Sequence, residues 1–180
     1  TFIRNCYESY IIEDQDEINI LSTKKSVYGY FSVGAQFDLE FYWGSCSTNT
    51  KAKIGSNDGN KLIDGQKIKL KKTNNDLTKK NLDYINSSIE KIRVLKGTNY
   101  DYFSEKGKKS FFEKEFLVSK LTDRMVMRLE GATIENIFDT NIKSEGLVKW
   151  VIQITSDGNP IIMLSDHGTI GGYPKIGVVI

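Results

Sequence analysis

Short apolar runs, each closed by a glycine or a polar turn, set the rhythm of this chain. Tyr28 to Val33 is rich in β-branched and aromatic residues and stops at Gly34. Phe37 to Trp43 mixes apolar residues with acids and stops at Gly44. In Gln66 to Leu70, Ile68 and Leu70 alternate with lysines, the period-two pattern of a strand with one wet face. Further on, Ile92 to Leu95 predicts a strand ended by Gly97. Met125, Met127 and Leu129 alternate with Val126, Arg128 and Glu130 in another. Trp150 to Ile154 and Ile161 to Leu164, joined by Thr155-Ser156-Asp157-Gly158-Asn159-Pro160, predict a hairpin. Ile176 to Ile180 is a last, strongly apolar strand. Only one stretch predicts a sizeable helix: Ser104 can cap a run to about Glu115, with Phe103, Phe111, Phe112 and Phe116 on or near its buried stripe. Many strands, few helices and no βαβ alternation predict a mainly β, barrel-like fold rather than a parallel α/β one.

Between Lys71 and Ser88 the pattern fades into Asn, Lys, Thr, Asp and Ser, with Leu77, Leu82, Tyr84 and Ile85 as the only apolar positions. The expected organisation is two β-rich lobes, residues 1–75 and 89–180, joined by a linker over 76–88. A chain of 180 residues can bury a core without covalent staples.

Charge changes this picture little. Lys and Arg number 25 against 23 Asp and Glu, a formal net charge of +2, without the concentrated basic face that nucleic acid requires. The lysines between Lys67 and Lys80 are interrupted by Asn and Asp and read as a solvated edge. Cys6 and Cys46 lie far apart and define neither a disulfide framework nor a zinc site, so reduced thiols and a cytoplasmic location are expected. No apolar run approaches the roughly 18 residues of a membrane span, and no leader peptide is visible. Asn86-Ser87-Ser88 matches a glycosylation acceptor, without meaning in a cytoplasmic protein.

Familiar catalytic motifs are missing. There is no Gly-x-x-x-x-Gly-Lys-Ser/Thr element, since Gly107-Lys108-Lys109-Ser110 lacks the upstream glycine, and no GxGxxG follows a strand. His167 is the single histidine, so no multi-histidine metal site exists. Three clusters remain. In Thr122 to Gly131, Asp123 and Arg124 stand at a strand entrance, where a guanidinium offers a planar fork to carboxylate or phosphate; a structural salt bridge explains them equally. Ser144-Glu145-Gly146, together with Gln153, could hold a polar substrate edge, or simply form turns. The third is the crook from Ser165 to Ile176, where Asp166, Thr169, Tyr173 and Lys175 supply acceptor, hydroxyl, phenol and ammonium. Gly171 and Gly172 give it conformational freedom, and Pro174 fixes its end.

These stretches carry a resemblance. Thr122 to Gly131 is similar to a Ser-Asp-Arg-Met-Gly-x-Arg-Leu-Glu-Gly motif, Ser144 to Gly146 to a Ser-(Glu/Asp)-Gly corner, and Ile152-Gln153-Ile154 to an Ile-Gln-Val strand. Asp157 to Ile161 and Asp166 to Ile176 resemble Asp-Gly-x-Pro-Ile and Asp-Arg-Gln-Thr-Thr-Gly-Gly-Tyr-Pro-Lys-Ile. Upstream, Gly29 to Gly34, Gly44 to Thr48 and Leu62 to Leu70 are looser matches. Together they resemble the allophanate hydrolase subunit 2 family, also described as biotin-dependent carboxyltransferase domains. His167-Gly168, Ile170 and Val126 depart from its usual residues. Family members extend beyond both ends, so a central to C-terminal fragment is expected.

The resemblance implies a cyclophilin-like β-barrel architecture and a partner, the subunit 1 protein of the same system. It implies chemistry on amide, lactam or urea carbonyls: ATP-dependent opening of 5-oxoproline or, alternatively, carboxyl transfer from carboxybiotin to urea. A non-catalytic subunit antagonising a kinase inhibitor is a third possibility. ATP would act at the level of the complex, since no phosphate-cradling motif is present here, and biotin belongs to the alternative. On this reading Lys175 and Arg124 stabilise charge, Asp166 is the base for water, and Tyr173 and Thr169 position the substrate. Gly171 and Gly172 open backbone N–H groups to it, while Gln153 and Glu145 hold its polar edge. No metal ligand set is expected.

Overall fold

A computed structural model of the chain describes residues 4–23, 28–71, 80–83 and 89–180. The chain divides into two compact units, Thr1–Ser87 and Ser88–Ile180.

In the first unit, strand formation is sparse. β1 (Gln36–Phe37) pairs antiparallel with β2 (Leu70–Lys71), and isolated bridges join Glu8 to Asn81, Tyr42 to Ser45 and Asn49 to Ile54. The strand expected over Tyr28 to Val33 is not formed, and the one over Phe37 to Trp43 shrinks to its first residue. Among the described residues Tyr30, Phe31, Phe41 and Trp43 are exposed, so little of the apolar burial that normally drives ladder formation is present here. Ser56 is among the few buried side chains; its hydroxyl donates to the Glu40 carbonyl. Of the expected linker, residues 80–83 face the N-terminal segment: Ser9 N–H donates to the Lys80 carbonyl and Leu82 N–H to the Tyr7 carbonyl. Residues 76–79 and 84–88, including Asn86-Ser87-Ser88, lie outside the described residues. Cys6 and Cys46 are free thiols.

The second unit is built on one six-stranded antiparallel sheet. Its strands are β3 (Val94–Lys96), β4 (Phe116–Val118), β5 (Val126–Gly131), β7 (Val151–Ile154), β8 (Pro160–Met163) and β10 (Lys175–Val179), in the spatial order β3-β10-β7-β8-β5-β4. β6 (Glu145–Gly146) and β9 (Ile170–Gly171) form a separate two-stranded ribbon. The expected β7–β8 hairpin is present, with Ile152 opposite Ile162 and Gln153 opposite Ile161. Its turn is tied by Thr155 N–H donating to the Asn159 carbonyl and by the Asp157 carboxylate, which accepts from the Thr155 hydroxyl and the Asn159 amide.

Every residue of β7 is buried, because both faces of the sheet are covered. Ile152, Ile154 and Ile176 pack with Phe103 and Ile134 on one face; Val151, Ile161 and Met163 pack together on the other. Helix α1 (Glu105–Glu113) starts where the sequence predicts, with the Ser104 hydroxyl accepting from Gly107 N–H at 2.9 Å. Phe103, Phe111 and Phe116 join the first cluster, but Phe112 points outward. β4 was not expected; its Phe116-Leu117-Val118 run follows the helix directly and pairs with β5. Trp150 drops out of the predicted strand because its φ of 73° leaves the extended region. The result is the expected mainly β fold with few helices, but β3 and β4, the two ends of the sheet, are not paired with each other among the described residues.

Candidate functional site

β10 carries a bulge between Lys175 and Gly177, so the ladder to β7 jumps from Lys175–Gln153 to Gly177–Ile152. A bulge re-aims a side chain and frees backbone groups from regular pairing. Here it starts at a lysine that is only 4% exposed. An unpaired ammonium at that depth would be costly. Lys175 Nζ is met by Glu145 Oε2 at 2.5 Å, delivered from β6. The Glu145 side chain itself stays 43% exposed, so one member of the pair is enclosed and the other reaches solvent.

Two amides complete this centre. Gln153, the cross-strand neighbour of Lys175, is buried and donates from Nε2 to the Tyr173 carbonyl at 2.7 Å. Asn99, in the loop after β3, accepts Lys175 N–H on Oδ1 at 3.0 Å and donates from Nδ2 to Glu145 Oε1 at 3.5 Å. The Lys175 ammonium first, and the Asn99 amide after it, hold the Glu145 carboxyl below the usual carboxylate range, against the upward push of partial burial. Glu145 is therefore firmly ionised at neutral pH, better suited to fix a cation than to take up a proton.

Two glycines are steric requirements of this arrangement. A Cβ on Gly171 would lie 2.8 Å from Leu147 Cδ1 and 3.0 Å from both polar atoms of the Gln153 amide. A Cβ on Gly97 would lie 2.3 Å from the Lys175 carbonyl oxygen, so only glycine lets the loop after β3 lie against the bulge.

The residues singled out from sequence thus fall into two groups. Lys175, Glu145, Gln153 and Gly171 come together. Gly172 stands beside them in the chain, its carbonyl accepting from Ile142 N–H. Asp166, expected as the base working beside Lys175 and Arg124, pairs with Arg124 alone of the two: Nε to Oδ2 at 3.0 Å and Nη2 to Oδ1 at 3.4 Å, a fork that also joins the ends of β5 and β8 through Asp166 N–H to the Arg124 carbonyl. The carboxylate on Lys175 is therefore Glu145. The Tyr173 ring packs against Val151, Ile161 and Met163. Thr169 is exposed and contributes its carbonyl to Leu147 N–H. Asn99 escaped the sequence reading; the only local signal was its place two residues beyond the glycine that ends a strand. Among the described residues no three His, Cys, Asp or Glu side chains gather as a metal site, and no helix is long and apolar enough to cross a membrane. The first unit holds a cavity of about 240 Å³ lined by Phe31, Val33, Phe37, Leu39, Phe41 and Cys46 among others.

With this geometry in view, comparison with known proteins gives the class. The family model described as "Carboxyltransferase domain, subdomain A and B" matches residues 4–180, and the chain belongs to that family. Among individual relatives, it is 32% identical over 167 residues to the C subunit of 5-oxoprolinase from Escherichia coli (strain K12), covering 89% of this chain and 53% of that protein. It is 29% identical over 175 residues to the same subunit from Haemophilus influenzae, covering 97% of this chain and 56% of that protein. The chain thus spans about half the length of the curated relatives it matches. The crystal structure of the K. lactis urea amidolyase superposes with a TM-score of 0.65 at 22% identity, over 79% of this chain and 10% of that one, which establishes likeness of fold.

Proposed function

We propose that this chain is part of a subunit of an ATP-dependent 5-oxoprolinase or a related amide or lactam hydrolase, working with a subunit 1 partner. The observation that carries the reading is the enclosed Lys175 ammonium held at 2.5 Å by Glu145, in a chain 32% identical to a protein named as a subunit of 5-oxoprolinase. Attack on a lactam carbonyl develops negative charge on its oxygen, and a fixed cation in a poorly hydrated place stabilises that charge without reorganising. Lys175 has the required burial, and Glu145 keeps it aimed. Gln153 stands across the ladder from it, with Gly171 against the Gln153 amide. Arg124, whose side chain is 60% exposed, supplies a second cation, forked on the Asp166 carboxylate and separate from the Lys175 group. ATP is assigned to the complex and not to residues of this chain.

The test is ATP-dependent 5-oxoproline cleavage by the full-length protein reconstituted with subunit 1. Lys175→Ala is expected to lower kcat by about 10²–10³-fold, the usual effect of deleting one oxyanion-stabilising donor. Retention of the parent rate would remove Lys175 from the chemistry.

A second reading, carboxyl transfer from carboxybiotin to urea or a similar amide, draws on the description of the family itself. The Lys175 ammonium also suits a carboxylate group. Biotin-dependent incorporation of labelled bicarbonate, measured beside lactam cleavage, separates the two.

A further inference from the structure

Asn99 is 5% exposed and contacts both halves of the Lys175–Glu145 pair, although it lies on neither strand that carries them. β3 ends at Lys96, where its ladder with β10 begins at Gly177, so Lys175 has no strand partner on that side. Asn99 takes the place of one. Its own N–H donates to the Lys175 carbonyl at 3.2 Å, and its side-chain Oδ1 accepts Lys175 N–H at 3.0 Å, reproducing the paired bonds of a ladder residue. The Lys175 N–H, which can only donate, and the Glu145 carboxylate, which can only accept, fix the amide with oxygen toward β10 and nitrogen toward β6; the Thr98 hydroxyl adds a contact to the same Oδ1 at 3.4 Å. The remaining donor, Nδ2, points to Glu145 Oε1. A residue needed only to close the backbone would require the acceptor alone. The donor reaches the carboxylate that holds the ammonium.

We infer that Asn99 is a positioning residue of this site, coupling the Lys175 backbone to the Glu145 carboxylate and so setting where the ammonium stands. The inference rests on the reading above that the Lys175–Glu145 pair is the functional centre. Aspartate cannot replace it: the acceptor for Lys175 N–H would survive, but the donor would become a second anion facing Glu145. Glu145 is otherwise faced by Lys175 from β10, and its ladder partner on β9, Gly171, brings no charge.

Asn99→Asp is the discriminating variant, because it is isosteric and keeps the backbone bond. Two measurements are made on the full-length protein. The first is the titration of the Glu145 side-chain carboxyl by carbon-13 NMR, which needs no turnover. Its midpoint is expected to rise by about one pH unit or more, as a like charge replaces a donor. A midpoint coinciding with that of the parent would overturn the inference. The second, with subunit 1 added, is the kinetic split: kcat for lactam cleavage is expected to fall about tenfold or more with KM nearly unchanged, as when a partner that orients a functional group is lost. An unchanged kcat would also overturn it. If Asn99→Asp does not fold, Asn99→Ser, which shortens the side chain without adding charge, is titrated in its place, with a smaller upward midpoint expected and no movement contradicting the assignment. If the parent complex cleaves no lactam, the functional reading falls while the titration still decides the role of Asn99.

Discussion

The two units of this chain start from the same raw material and end differently. Each has β-branched and aromatic runs closed by glycines. In the second unit those runs meet a covering layer on both faces of the sheet, and β7 is buried along its whole length. In the first unit Tyr30, Phe31, Phe41 and Trp43 stay exposed, and among the described residues only two-residue strands form. Strand propensity expresses fitness for a half-buried pleated surface; without the burial it produces little ladder.

The comparison can be broken or sharpened by substitution. Ile176 is fully buried between β3, β7 and Phe103, so Ile176→Ala should cost about 2–5 kcal/mol in denaturant unfolding of the second unit. A cost under about 1 kcal/mol would mean that the sheet is not close-packed. A smaller effect belongs to the ion pair. Because the Glu145 carboxyl is held below its unfolded value, the stability it contributes is complete above the ordinary carboxylate range, about pH 4.3, and is lost as pH falls through the depressed folded value. Glu145→Gln should flatten that part of the acid-stability curve, and an identical curve would show that the pair contributes nothing. Solvent access to Glu145 keeps this contribution modest. Smallest of all, Tyr30→Ala, at a residue 99% exposed, should stay within about ±0.5 kcal/mol. A large loss there would reveal a covering layer for the first unit.

What could be read from sequence follows the same physical line. Local patterns sufficed for β5, β7, β8 and β10, and for the Ser104 cap, because in each the apolar period or the capping residue lies within a few positions. Trp150 broke its strand through a backbone angle that no pattern announces. Lys175, Glu145 and Gln153 could be picked out individually by composition and resemblance. Which carboxylate meets which cation could not, because that depends on sheet register: Lys175 bonds Glu145 across 30 positions, while Arg124 bonds Asp166 across 42. Asn99 was invisible for the same reason, since its bond to Lys175 spans 76 positions of an otherwise ordinary loop.

The claim at the centre of this account is that Lys175 and Glu145 act as one unit. A double-mutant cycle on the full-length protein with subunit 1, comparing Lys175→Met, Glu145→Gln and the double variant in lactam cleavage, tests it most directly. The account predicts that the double variant is scarcely slower than Lys175→Met alone, since Glu145 has no task once the ammonium is gone. Losses that multiply, each substitution acting at full strength in the presence of the other, would contradict it.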